Sequence, residues 1–375
     1  MKAPFPYFGG KSAIVDMVWN RLGADVTNYV EPFAGSAAML LNRPGWAPDV
    51  TWTETINDAD GFVANFWRAT RADPQAVAHH ADWPVNENDL HARHAWLVGQ
   101  RDSMQSKLEG NPNFYDPKIA GWWVWGMSCW IGGGFCSGRG PWGVVDGELV
   151  KRGSNGMGVR RQRVHLGNNG RGVNRQRVHL SDGTGDARTG EAGLLAWIEA
   201  LAQRLRLVRV ASGDWSRVCG PTPTVKLGTT AVFLDPPYSL EAQRHNRIYR
   251  IESGTVAHDV REWAIQHGDD SRYRIALCGY DSEHGHMMPD GWEAVPWNAS
   301  GGYANMGDGA GRENASREVV WFSPHCKKEI EQQSMFDAGW EKARERAKLD
   351  RERAALENER AALDAYAAML DAYEG

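Results

Sequence analysis

A chain of 375 residues is long enough for one substantial α/β core plus an inserted or appended module. Its 42% hydrophobic and 24% charged residues are ordinary for a globular protein, and no apolar run approaches the ~20 residues of a bilayer-spanning helix. The net charge of −5 excludes a uniformly basic nucleic-acid coat, and the five scattered cysteines form no CxxC pair, so neither a disulfide framework nor a metal site is expected.

Met1 to Tyr7 holds no long apolar run, so no secretory signal is expected and the cysteine usage fits a reducing cytoplasm. Residues 28–42, NYVEPFAGSAAMLLN, read as a short strand, a turn of small residues and a helix. A second strand is expected from Val50 to Ile56, ending in Asn57-Asp58-Ala59-Asp60. Phe62, Val63, Phe66 and Trp67 then fall at helical spacing within 61–77. Strand, helix, strand, helix is the order of a parallel sheet with crossover helices.

The pattern breaks over 81–150, which reads as helical and aromatic: seven of the 18 tryptophans lie between Trp83 and Trp142. They read first as a helical core and second as a base-stacking surface. A Gly-rich stretch from Gly132 to Gly143 closes the segment, and 151–190 is rich in Gly, Asn and Arg with no sustained period. Residues 151–181 hold eight Lys or Arg and no Asp or Glu, which makes them a candidate polyanion contact or else a solvated loop. Within them Arg161-Gln162-Arg163-Val164-His165-Leu166 recurs as Arg175-Gln176-Arg177-Val178-His179-Leu180, fourteen residues later. Two copies are too few for a solenoid, and a basic hairpin or paired loops is the expectation.

A helix is expected at 191–206, then strands at Leu207–Ala211 and Ala231–Leu234, the second leading into Asp235-Pro236-Pro237-Tyr238. A helix around 255–267 and strands at Arg274–Cys278 and Glu318–Phe322 follow. The α/β pattern thus resumes near 205, which divides the chain into one domain from 1–80 and 205–330, an insertion at 81–204, and a C-terminal helix at 335–375. In that last segment Leu349, Leu356, Leu363 and Leu370 are spaced by seven, with Arg346, Arg353 and Arg360 where a paired coil wants apolar residues. A solvated helix and a helix that pairs two copies of the chain both remain open.

The tetrapeptide at 235–238 carries the strongest chemical signal. Ligands of open α/β sheets bind beyond the carboxyl ends of the strands. Two consecutive prolines there stiffen the backbone and remove two N–H donors. The local carbonyls and the Asp235 carboxylate can accept both protons of an NH₂ group, and Tyr238 offers a face for stacking. An aromatic amine is a poor nucleophile because its lone pair is delocalised into the ring. Acceptors that draw on both protons free that pair for in-line attack on a methyl donor. The plain alternative is a strand-ending turn with a surface tyrosine. Gly9-Gly10-Lys11-Ser12 imitates a phosphate loop, but a Walker A motif needs Gly where Phe5 stands.

Taken together, Tyr7-Phe8-Gly9-Gly10-Lys11, Glu31-Pro32-Phe33-Ala34-Gly35, Asn57-Asp58 and Asp235-Pro236-Pro237-Tyr238 resemble the Dam-type family of adenine-specific DNA methyltransferases. The resemblance covers roughly 1–75 and 205–325, and the Gly/Arg-rich insertion is closer to phage-encoded members. It implies a Rossmann-like S-adenosylmethionine (SAM) binding sheet with an inserted helical and Arg-rich target-recognition domain. It also implies SAM as cofactor and double-stranded DNA as partner. Tyr7, Gly10 and Lys11 would then line the SAM pocket, with Lys11 near the methionine carboxylate. Glu31, Phe33 and Gly35 would shape the loop around the methionine portion, Asp58 would hold the ribose, and Asp214 would meet the SAM adenine. Asp235 and Pro236 would grip the target amine, with Pro237 stiffening the corner and Tyr238 stacked on the base. One departure is Ala37, where the family has a second glycine; alanine spares the turn provided its φ is negative.

An amine inside a duplex must be turned out of the stack, at a cost of a few kcal/mol. Arg161, Arg163, Arg175 and Arg177 are the candidates for phosphate and guanine contacts that offset this. Cytosine-N4 methylation is the nearest rival, because the same geometry serves any exocyclic amine; those enzymes more often carry Ser before Pro-Pro. Cytosine-C5 methylation needs a cysteine nucleophile, usually in a Pro-Cys pair, and none of the five cysteines follows a proline. RNA and protein glutamine remain open as substrates, as does a non-catalytic DNA-binding protein that retains the fold.

Overall fold

The structure is a computed structural model that describes residues 1–5, 7, 10–130, 135–136, 142–145, 148–151, 191–237, 256–297 and 318–328. Residues Met1–Cys326 form one compact unit and Lys327–Gly375 a second, and the helix expected at 335–375 lies outside the described residues. So does the Arg-rich repeat of 161–180.

The described helices are α1 (Val15–Leu22), α2 (Ala38–Leu41), α3 (Gly61–Ala72), α4 (Pro74–Ala81), α5 (Glu87–Gly110), α6 (Pro117–Cys129), α7 (Glu191–Leu205), α8 (Val256–Gly268) and α9 (Asp281–His284). The strands are β1 (Asn28–Glu31), β2 (Thr53–Asp58), β3 (Trp142–Val145), β4 (Glu148–Lys151), β5 (Val208–Ser212), β6 (Thr230–Leu234), β7 (Tyr273–Tyr280), β8 (Glu293–Trp297) and β9 (Glu318–Phe322). Strands β3 and β4 pair as a separate antiparallel hairpin.

The other strands form a seven-stranded sheet in the order β5-β2-β1-β6-β7-β9-β8. Pairings from β5 to β7 are parallel, and β9 runs antiparallel to both of its neighbours. Ranked along the chain, the order is 3-2-1-4-5-7-6, a Rossmann-like arrangement with a reversed strand added near one edge. From β1 the chain steps outward to β2 and β5; from β6 it steps the other way. The switch point, and hence the natural ligand crevice, lies at the carboxyl ends of β1 and β6.

Alternation along the strands supplies two apolar faces. Tyr29, Ala231, Phe233, Ala276 and Cys278 join one buried cluster, while Val30, Val232, Leu234, Ile275 and Leu277 join the other. Each face is covered by helices, as a parallel sheet requires. On the first face lies α1, whose Val15, Val18, Trp19 and Leu22 fall on one stripe, together with α3 through Phe62, Val63, Phe66 and Trp67. On the second lies α8, through Val260 and Ala264. The helical spacing of 61–77 resolves into two helices, because Pro74 brings no N–H to continue α3 and Asp73 caps the N-terminus of α4.

Among the described tryptophan side chains of the 81–150 segment, Trp123 and Trp125 are buried, Trp96, Trp122 and Trp130 pack against the core, and Trp83 is exposed. Trp123 and Trp125 on α6 are buried in the same cluster as α3, and α6 packs against α3, α4 and α5. Helix α7 returns the chain to the sheet and is locked there by Arg204, whose guanidinium donates to both Glu54 carboxylate oxygens at 2.6 and 2.9 Å and to the Leu40 carbonyl at 2.6 Å. That fork is buried and Glu54 is shared with Arg43 at 3.2 Å, so losing Glu54 would strand two guanidinium charges inside the protein.

Candidate active site

A cavity of about 360 Å³ opens where the carboxyl ends of β1, β2, β5 and β6 meet, a volume within the usual range of small-molecule sites. Each strand contributes the loop that follows it: Glu31 to Ser36 after β1, Asn57 to Asp60 after β2, Gly213 to Trp215 after β5, and Asp235 with Pro237 after β6. Tyr7, Gly10 and Lys11 close the wall from the N-terminal segment, and Val256 with Asp259 from α8. The eight residues expected to bind cofactor (Tyr7, Gly10, Lys11, Glu31, Phe33, Gly35, Asp58 and Asp214) therefore share one cavity with Asp235 and Pro237. Pro236 is buried behind that wall, and Tyr238 lies outside the described residues. Cys278-Gly279-Tyr280-Asp281 forms the β7 to α9 junction and does not line the cavity.

The turn after β1 is shaped by close approach. Gly35 has φ 45, and a Cβ placed on it would lie 2.5 Å from the Tyr7 ring. Only a glycine lets that ring lie against the turn. Its N–H donates to Asp58 Oδ2 at 2.9 Å, and Trp67 Nε1 donates to its carbonyl at 3.0 Å. Ala37 does not meet the condition set for it: its φ is 52, in the left-handed region. The strain of roughly 1 kcal/mol is offset locally, since its N–H donates to the Ala34 carbonyl at 2.6 Å and its carbonyl accepts from Leu41 N at 2.9 Å.

Two residues at the end of β2 tie three loops together. Asn57 Nδ2 donates to the carbonyls of Pro32 and Gly213, both at 3.0 Å, while its own carbonyl accepts from Ala34 N at 2.9 Å. Asp58 accepts from Gly35 N through one oxygen and from Asp60 N, at 2.8 Å, through the other. Its carboxylate thus has a positioning task before any ligand arrives. Asp214 is exposed and caps its own turn by accepting from Ser216 N at 2.9 Å. The neighbouring Trp215 stacks toward Phe33 with centroids 6.3 Å apart and planes 29° apart. Both rings line the cavity, and Trp215 was not among the expected site residues. An aromatic directly after a strand-end Gly-Asp was the signal available.

The cavity is acidic. Its described lining carries six carboxyl groups (Glu31, Asp58, Asp60, Asp214, Asp235, Asp259) against the single ammonium of Lys11. Burial pushes the Glu31 carboxyl up to about 8, against the pull of hydrogen bonds from Tyr29 Oη and Leu40 N and with added repulsion from Asp235. Glu31 is therefore largely protonated at neutral pH. Lys11, expected beside a methionine carboxylate, has its ammonium 3.0 Å from Asp235 Oδ1 and 3.5 Å from Glu318 Oε2. Glu318, at the start of β9, was not foreseen at all, because nothing near it in sequence marks it as a partner of the N-terminal turn.

Residues 7–97 match the family model of the D12 class N6 adenine-specific DNA methyltransferases, a family of SAM-dependent enzymes. The resemblance and the enzyme class read from the motifs are borne out by this match. Among curated proteins, none matches the chain. The matched segment holds Tyr7, Gly10, Lys11, the Glu31 to Gly35 turn and Asn57-Asp58, while the Asp235 corner falls outside it.

Proposed function

We propose that this chain, which matches the family model of the D12 class N6 adenine-specific DNA methyltransferases over residues 7–97, holds SAM in the cavity beside Gly35 and methylates the N6 amine of an adenine turned out of double-stranded DNA. One observation carries the reading. The Asp235 corner and the Gly35 turn, some 200 residues apart in sequence, open on the same cavity at the switch point of the sheet.

The charge of the cavity supports SAM. A wall with more carboxylates than cations suits a ligand bearing a sulfonium and an ammonium, and it repels a polyphosphate. Lys11 is already engaged by Asp235 and Glu318, which further disfavours a phosphate loop. The turn at Gly35 holds the Tyr7 ring at the cavity wall, and the acidic groups at 58 and 60 stand where ribose hydroxyls can donate. Phe33 and Trp215 offer flat faces for an adenine ring. Bound SAM would supply a methyl group made electrophilic by the sulfonium.

The protein's own part is to present the nucleophile. Asp235 and the carbonyl of Pro236 would accept hydrogen bonds from the two amine N–H groups, which draws the nitrogen lone pair out of conjugation and toward the methyl. As that nitrogen gained the methyl carbon, the carbon–sulfur pair would return to sulfur and the surplus amine proton would leave by way of the Asp235 carboxylate. Pro236 and Pro237 lack N–H groups that could compete for those acceptors. Tyr238 would stack on the everted base. The insertion at 81–204 would read the target, with Arg161, Arg163, Arg175 and Arg177 supplying phosphate and guanine contacts.

The test is direct. Unmethylated double-stranded DNA incubated with the protein and SAM is digested to nucleosides, resolved by mass spectrometry, and sequenced in parallel for modified positions. N6-methyldeoxyadenosine in one sequence context is the expected product. N4-methyldeoxycytidine in its place would move the assignment to the rival amine, and binding of DNA without binding of SAM would remove the enzyme reading.

A further inference from the structure

The geometry points to Glu318 as a positioning residue for methyl transfer, acting on the catalytic Asp235 through Lys11. This inference rests on the reading of Asp235 as the acceptor of the amine protons.

Three elements far apart in sequence meet at this cluster. Lys11 comes from the turn Lys11–Ile14 near the N-terminus, Asp235 from the end of β6, and Glu318 from the start of β9. The Lys11 side chain is 3% exposed and its ammonium lies between the two carboxylates, at 3.0 Å from Asp235 and 3.5 Å from Glu318. The Trp297 ring, from the end of β8, lies 5.5 Å from the same ammonium. Among the described residues, Cys278 on β7, whose thiol burial drives well above its usual range, and Glu31 on β1 also face the cluster.

A buried ammonium paired with Asp235 alone would fix that carboxylate but also weaken it as an acceptor, just where the amine must donate. A second carboxylate changes the balance. With Glu318 the three groups carry a formal charge of −1, so Lys11 is shared and Asp235 keeps its strength as an acceptor while it stays tethered. Glu318 also gives Lys11 an anchor on β9, which pairs with β7 and does not line the cavity. Asp235 is then held by a cation that does not swing toward the ligand.

The test uses the full chain with substitutions at both positions. In steady-state DNA methylation, Glu318→Gln is expected to lower kcat tenfold or more while the calorimetric Kd for SAM stays within threefold, and Glu318→Asp should recover part of the loss. Lys11→Met should lower kcat as well, and its low-pH limb should move to higher pH because Asp235 loses its cation. The decisive comparison is the double variant. Acting through Lys11, Glu318→Gln should cost nothing further on the Lys11→Met background, whereas two independent losses would multiply and overturn the proposal. Wild-type kcat in Glu318→Gln would overturn it too. A wild-type protein that never methylates DNA would instead defeat the proposed function, so the link itself is read without turnover. The Lys11 midpoint, followed by its ¹³Cε shift, should fall in Glu318→Gln because the ammonium loses one of its two carboxylates, and an unchanged midpoint contradicts the assignment.

Discussion

Gly35 shows how much one missing side chain decides. Its φ of 45 and the Tyr7 ring 2.5 Å from where a Cβ would sit leave no room for alanine. Gly35→Ala should displace the Tyr7 ring from the cavity wall and weaken SAM binding about tenfold, roughly 1.4 kcal/mol, as calorimetry would read. An unchanged Kd would mean that the ring and the turn do not shape the cofactor site. Glu31 offers a second residue-scale test, through pH. Its folded midpoint of about 8 lies above the ordinary 4.5, so the folded state holds a proton that the unfolded state has released. Its contribution to stability is full below pH 4.5 and is lost as pH rises toward 8. His94 and His284, driven down by burial to about 4 and about 3, act in the opposite sense and only below their ordinary 6.5. Urea unfolding between pH 6.5 and 8 should therefore show a decline in the wild type relative to Glu31→Gln. Parallel pH profiles for the two proteins would contradict the buried, protonated Glu31. Residues such as Gly35, Asp58 and Asp235 were legible in the sequence because their chemistry is written in their own motifs. Asn57's bonds, Trp215's stacking and Glu318's hold on Lys11 were not, because each is a contact between elements that only folding brings together.

At the scale of elements, the loops that form the cavity depend on the end of β2. Asn57 Nδ2 bridges Pro32 and Gly213, so the turns after β1 and β5 are held by one buried amide. Asn57→Ala would leave two carbonyls without that donor and should cost about 2 kcal/mol of stability, read as a lower denaturant midpoint at unchanged slope. A midpoint equal to wild type would show that water replaces the bonds at no cost. Strands β1, β2, β5, β6, β7 and β9 were each expected from the sequence, β6 and β9 as apolar runs, while β2 lies at Thr53–Asp58, a few residues beyond the Val50 to Ile56 expected. Edge strand β8 was missed because Glu293 and Pro296 break its pattern, and an edge tolerates both. Helix α1 was overlooked beside the Gly-Gly-Lys-Ser sequence, although Val15, Val18, Trp19 and Leu22 spell its buried stripe. Helix α3 ends early because Pro74 intervenes, a signal the apolar spacing alone overrode.

For the whole molecule, the division of charge matters most. The cavity wall is acidic, while residues 151–181 hold eight Lys or Arg and no Asp or Glu, so the proposed reading assigns the small cationic ligand and the polyanion to different residues. Replacing Arg161 and Arg175 with glutamine should weaken DNA binding and flatten the slope of log K against log salt by about 2 units. Unchanged affinity and slope would remove the basic repeat from the DNA contact. The central claim, that Asp235 presents an amine to a methyl donor held beside Gly35, is tested most directly by measuring SAM binding and methyl transfer side by side in Asp235→Ala. The account predicts that transfer of labelled methyl to DNA is abolished while the calorimetric Kd for SAM stays within about threefold, under 1 kcal/mol. Transfer at a near wild-type rate would contradict it.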